Sequence, residues 1–71
     1  MNAKEWIAAF AARLNTKPPS REEFGTLLDL AGEAAHSSER VAAPVSCWVA
    51  AQAGVSPAEA LAAAREVSAS G

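Results

Sequence analysis

The chain has 71 residues, a mass of 7.3 kDa and a formal net charge of −2. A protein of this size buries only about 60% of its extended surface, so we expect one domain over residues 1–71 and no deep cleft for a cofactor beside a substrate. Six basic and eight acidic residues are spread along the chain without a basic cluster, which excludes the class of proteins that bind nucleic acid through phosphate contacts.

Alanine dominates the apolar residues. It supplies 19 of the 71 residues, whereas Leu, Ile, Val and Phe together supply 13. Alanine is the strongest helix former but has little surface to bury, so the composition predicts closely packed helices around a thin core. The single cysteine, Cys47, excludes an internal disulfide, and the chain begins without a secretory pattern, so we expect a cytoplasmic location. We expect Cys47 to be a small buried apolar residue.

The first helix is predicted over residues 3–14. Asn2 and Glu5 have the spacing of a reciprocal N-terminal cap, and two consecutive prolines end the segment. One apolar face is formed by Trp6, Ile7, Phe10 and Leu14. We expect Trp6 and Phe10 to lie in the core, where aromatic side chains contribute most of the burial.

The second helix is predicted over residues 21–36, because Ser20 and Glu23 form a second capping pattern before an amphipathic run. The third is predicted over residues 44–53, with Pro44 at its first position and a glycine at its exit. The fourth is predicted over residues 57–68, with residues 68–71 frayed, because Ser56, Pro57 and Glu59 combine an N-cap, a first-turn proline and a capping glutamate. Its inner side is predicted to carry Ala60, Leu61, Ala64 and Val67. No segment alternates with a period of two, so the fold class is all-α, a compact bundle of four short helices.

Residues 41–58 carry no charge, although prolines, a glycine and polar residues interrupt the run and exclude a membrane span. A helix that is apolar on every side is either central in the core or covered by another chain. A four-helix domain of this size has difficulty enclosing one helix completely. We expect Trp48 in the core, with a role as an exposed interface anchor as the alternative.

The junction between the second and third helices carries the most distinctive polar residues. We select His36, Glu39, Arg40, Pro44 and Trp48 as candidate partner-binding residues. In the functional interpretation, His36 and Arg40 hold an anionic group or a carboxylate of a partner. In the structural alternative, His36 offsets the negative end of a helix and Arg40 pairs with Glu33 or Glu39.

Catalytic chemistry has little support. One histidine and one cysteine do not complete a zinc site, and the scattered glycines form no phosphate-binding loop. No ordered Ser/His/acid arrangement is present either. We therefore predict no catalytic, cofactor-binding or metal-binding residues and no enzymatic activity of this chain alone.

The middle of the chain contains the segments Leu27-Leu28-Asp29-Leu30-Ala31, Glu33-Ala34-Ala35-His36, Glu39-Arg40 and Ala42-Ala43-Pro44-Val45. Together these segments resemble a family of short bacterial domains of unknown function. The family typically reads Leu-Leu-Asp-Leu-Ala and then Ala-His-Gly-x-Glu-Arg-Pro-Ala-Ala-Pro, with an early tryptophan that Trp6 matches. Ser37 and Val41 replace the family's glycine and proline.

Domains of that family occur alone, and also fused to or encoded beside proteins similar to molybdopterin-guanine dinucleotide biosynthesis protein A. The resemblance implies an accessory role near molybdenum-cofactor maturation, not the nucleotidyl transfer itself. We predict a non-catalytic helical interaction module whose partner is a protein, with an accessory subunit of a nucleotidyltransferase as the enzyme-linked alternative. Two further hypotheses are a self-associating homo-oligomer and a small-anion or nucleotide-binding domain that uses His36 and Arg40.

Overall fold

The second helix organises the fold. The structure, a computed structural model, describes all residues from 1 to 71 and contains no β-strand. Its four helices are α1 (Ala3–Arg13), α2 (Arg21–Ser37), α3 (Ala42–Ala53) and α4 (Pro57–Ser70). Helices α3 and α4 both pack on α2, whereas α1 makes at most marginal contact with the other helices. The predicted all-α bundle of four short helices is confirmed.

Three of the four helices begin with the side-chain caps that the sequence predicts. In the first, the Glu5 backbone N–H donates to Asn2 Oδ1 at 2.8 Å and the Asn2 N–H donates to Glu5 Oε1 at 3.0 Å. Ser20 and Glu23 repeat this reciprocal pair at the start of α2. At the start of α4 the Glu59 N–H donates to Ser56 Oγ. These bonds satisfy backbone donors that a helix otherwise leaves free at its N-terminus.

Helix α3 begins at Ala42 and not at Pro44, so the predicted start is wrong by two residues. Its N-cap residue, Val41, has helical backbone angles and makes no side-chain cap. The N–H groups of Ala42 and Ala43 donate to the carbonyls of Glu39 and Arg40 at 3.0 and 3.1 Å, and Pro44 has no N–H to satisfy. The first turn therefore needs no capping side chain.

Helix α4 continues to Ser70, although the sequence predicts fraying from residue 68. The Ser68 hydroxyl donates to the Ala64 carbonyl at 3.1 Å, the Ser70 hydroxyl donates to the Glu66 carbonyl, and the Gly71 N–H donates to the Val67 carbonyl. The Gly71 N–H thus satisfies a carbonyl of the last turn, and the two serine hydroxyls bond back to carbonyls four residues earlier in the same helix.

The core is thinner than an ordinary domain of this mass would have. Only Ala11, Leu30 and Ala60 are buried, and Leu30 is the single large side chain among them. The accessible surface is 5493 Å², whereas a monomer of this mass exposes about 4,200 Å². The domain therefore exposes about 1,300 Å² more than its size requires.

The expected core positions of Trp6 and Phe10 are wrong. Trp6 is 55% and Phe10 is 50% exposed, and their rings stack on each other with centroids 5.0 Å apart. The reason is the position of α1, which makes at most marginal contact with the other helices; Lys4 Nζ lies 5.8 Å from the centre of the Phe24 ring near the start of α2. The apolar face of α1 exists as predicted, but only Ile7 among its residues is half-buried.

Gly54 ends α3 in the left-handed region, with φ of 75°, and offers a direct stability prediction. A Cβ at this position would meet no atom within 4 Å, so Gly54→Ala acts through backbone strain alone. We expect a loss of about 1–2 kcal/mol in the free energy of unfolding. The matched control is Gly25→Ala inside α2, where the same open surroundings and a helical backbone predict a gain of about 0.5–1 kcal/mol. Urea unfolding of both variants measures the contrast, and equal signs would contradict it.

Candidate protein-interaction site

The outer face of α3 is the most exposed apolar surface near the predicted site. We define it as Val41, Pro44, Trp48 and Gln52, which share one side of the helix by their spacing and are all exposed. Trp48 is 65% exposed, so its expected core position is wrong. The half-buried residues of α3, including Ala43, Ser46, Cys47 and Ala50, lie on the opposite side and are small, which lets α3 approach α2 closely. The bulky side chain is left outside.

The end of α2 and the loop before α3 place His36, Glu39 and Arg40 at the surface. All three are exposed, with His36 in the last turn of α2. Glu39 and Arg40 act locally through their backbone carbonyls, which start α3. The structural alternative pairs Arg40 with Glu33 or Glu39. The Glu33 carboxylate has serine hydroxyls as its partners, and the positive charges that act on it are those of Arg65 and His36, not that of Arg40.

Glu33 belongs to a polar cluster that joins α2 to α4. The Ser37 hydroxyl donates to Glu33 Oε2 at 2.8 Å, and its oxygen lies 2.7 Å from the hydroxyl oxygen of Ser68. Hydrogen bonds from Ser68 and Ser37 hold the pKa of Glu33 below its ordinary value of 4.5, and the positive charges of Arg65 and His36 act in the same direction. The carboxylate is therefore ionised at neutral pH and holds the ends of both helices together.

The lowered pKa of Glu33 makes a stability prediction with a definite sign. A carboxyl group whose pKa falls on folding contributes stability above its unfolded pKa and loses this contribution as pH falls through the lower, folded value. We therefore expect the urea midpoint of the wild type to fall on acidification below about pH 4.5, and Glu33→Gln to fall less. Glu39→Gln, a change at an exposed loop carboxylate, is the control. An identical acid dependence in Glu33→Gln and the wild type would contradict the assignment.

An open groove of about 750 Å³ lies between α3 and α4, with α2 as its floor. We call it the α3–α4 groove. Its floor includes Leu30, one wall carries Val45 and Val49, and the other carries Val67. It stays open because α3 and α4 each pack on α2 and make little or no contact with each other. Glu33 is the one charged residue that lines it.

Comparison with protein families gives a match over residues 1–70, nearly the whole chain, to the family described as "Domain of unknown function (DUF6457)". The chain belongs to the DUF6457 family. No curated protein matches it, and no solved structure matches it. The prediction that the chain is a member of an uncharacterised domain family is thereby confirmed.

The α3–α4 groove of this DUF6457 domain was not predicted. The helical spacing correctly placed Ala60, Leu61 and Ala64 toward the other helices but also assigned Val67 to that side, and Val67 is 72% exposed. The small residues of α3 and α4 could have indicated the groove. Alanine lets each helix pack closely on α2 but is too small to fill the space between α3 and α4.

Two other residue classes in the DUF6457 domain bear on chemistry. Cys47 is half-buried on α3, so it is less enclosed than predicted. No three His, Cys, Asp or Glu side chains lie close enough to hold a metal ion.

None of the four helices combines the length and apolarity that crossing a bilayer requires.

Proposed function

We propose that this DUF6457 domain is a non-catalytic protein-interaction module. Its binding surface is the outer face of α3, with His36, Glu39 and Arg40 as a polar rim. The observation that carries the proposal is the position of Trp48, which is 65% exposed on a helix without any charged residue. A folded domain gains little stability from an indole in water, whereas the same side chain is among the most effective anchors of a protein interface.

The charges around Trp48 fit a protein partner better than a small ligand. Residues 41–58 contain no charged side chain, so a partner that covers this surface desolvates no ion. The charged groups stand before α3, in the last turn of α2 and in the loop that follows it. There Arg40 and His36 accept an acidic group of the partner and Glu39 a basic one, which sets the orientation of binding.

The partner that we propose is an enzyme of molybdenum-cofactor biosynthesis in the bacterial cytoplasm. This part rests on the family resemblance carried by residues 27–31, 33–36, 39–40 and 42–45. The resemblance implies a role in the same process as the nucleotidyltransferase-like proteins, and this chain offers a surface where such an enzyme can bind. The role is accessory, because the chain itself lacks an ordered catalytic arrangement.

Affinity capture tests both parts of the proposal. The wild-type domain and Trp48→Ser serve as baits in an extract of the source cells, and mass spectrometry identifies the proteins retained. We expect the wild type to retain a molybdenum-cofactor enzyme that Trp48→Ser loses. Equal recovery by both baits would refute the role of the outer face of α3. Recovery that depends on Trp48 but contains only enzymes of another process would refute the proposed partner.

A further inference from the structure

Helix α1 carries an apolar stripe that its own chain leaves about half exposed. The stripe consists of Trp6, Phe10 and Leu14, which are 55%, 50% and 58% exposed and share one face at a spacing of four residues. The stacked rings of Trp6 and Phe10 already form one rigid apolar unit. Little ordering of side chains is therefore needed when this stripe packs against another surface.

The α3–α4 groove has the dimensions of one more helix. Its two walls are α3, whose 12 residues extend about 18 Å, and α4, whose 14 residues extend about 21 Å, whereas the 11 residues of α1 extend about 16 Å. The groove walls carry three exposed valines, Val45, Val49 and Val67, above the buried Leu30. The chain thus has both a groove that can accommodate a helix and a helix of matching length, α1, whose apolar stripe is exposed.

We infer that α1 of a second copy of this chain occupies the α3–α4 groove, and that the exchange is reciprocal. Each copy then gives one helix and receives one, which closes a two-fold dimer without leaving a free groove. The excess of about 1,300 Å² over the surface expected for this mass exceeds the roughly 800 Å² that each partner buries in a standard stable interface.

The charges of the α3–α4 groove and of α1 are complementary. Glu33 supplies the one charged group of the groove lining, and it is ionised at neutral pH. Arg13 shares the side of α1 that carries Phe10, three residues away, and is the basic residue of its last turn. A seated α1 therefore brings a positive charge to a groove with a single negative one. The outer face of α3 stays free, so the dimer is compatible with the proposed partner but does not depend on it.

Sedimentation equilibrium on the 71-residue chain and two variants of it tests the inference. We expect the wild type to form dimers within a range of about 1–500 µM, and Phe10→Glu or Val67→Lys to weaken self-association by at least about 100-fold, because each change enters the dimer twice. Mixing these two variants restores a dimer, since the intact α1 of the Val67→Lys chain fills the intact groove of the Phe10→Glu chain. Far-UV circular dichroism verifies that both variants remain helical.

Fluorescence supplies a second readout. In a Trp48→Phe chain, Trp6 is the single indole, and its emission shifts to shorter wavelength with rising concentration as the ring enters the groove. A monomeric wild type over the whole range would overturn the inference and leave the groove to a helix of another protein. A dimer that both variants keep, or a mixture that stays monomeric, would overturn the assigned contact. None of these results affects the binding of a partner through Trp48. This inference and the proposed function can therefore be refuted independently.

Discussion

Replacing Leu30 with alanine is expected to lower the free energy of unfolding by about 2–5 kcal/mol, the range for a leucine that leaves a cavity in a core. Leu30 is 3% exposed and is the one large side chain that the structure buries. A domain of 71 residues has a total stability of about 4–10 kcal/mol. The substitution therefore removes a large share of the stability, and thermal unfolding should begin at least about 10 °C lower.

Leu28→Ala is the matched control for this prediction. It removes the same atoms from the same helix two residues earlier, where the leucine is 61% exposed. We expect a change within about 0.5 kcal/mol, as for surface substitutions. Urea unfolding followed by circular dichroism compares the two variants. Similar losses in both would contradict the assignment of the core to Leu30, because intrinsic helix propensity is the same in both substitutions.

The sequence predicted the helices well because their signals are local. Asn2, Ser20 and Ser56 each precede a glutamate at the spacing of a cap, and all three side chains accept the predicted backbone hydrogen bond. The start of α3 was missed because it carries no such signal. Its first N–H groups find backbone carbonyls in the preceding loop, a pattern that depends on the loop conformation and not on residue type.

Burial was harder to predict than secondary structure. A spacing of three and four residues shows that Trp6, Phe10 and Leu14 share a face, but it does not show whether another helix lies opposite. The same limit explains Val67, which has the periodicity of an inner residue and is 72% exposed. Trp48 differs, because the charge-free surroundings favour either burial or a partner, and the exposed side chain rules out burial.

The second large effect is expected at Trp48 and concerns binding. When the partner has been identified, Trp48→Ala should weaken the affinity of the domain for it by at least about 2 kcal/mol, or about 30-fold, as for a central anchor of an interface. The stability of the domain should change by no more than about 0.5 kcal/mol, because the indole is 65% exposed. Isothermal titration calorimetry measures the first quantity and urea unfolding the second.

The combination of these two quantities distinguishes an interface anchor from a structural tryptophan. Leu28→Ala again serves as the control, since it removes an exposed apolar side chain from α2 and should leave the affinity within about twofold of the wild type. If Trp48→Ala lowers stability as much as affinity, Trp48 supports the fold and the outer face of α3 is not the binding surface. If both variants weaken binding equally, the partner responds to general surface apolarity and not to one anchor.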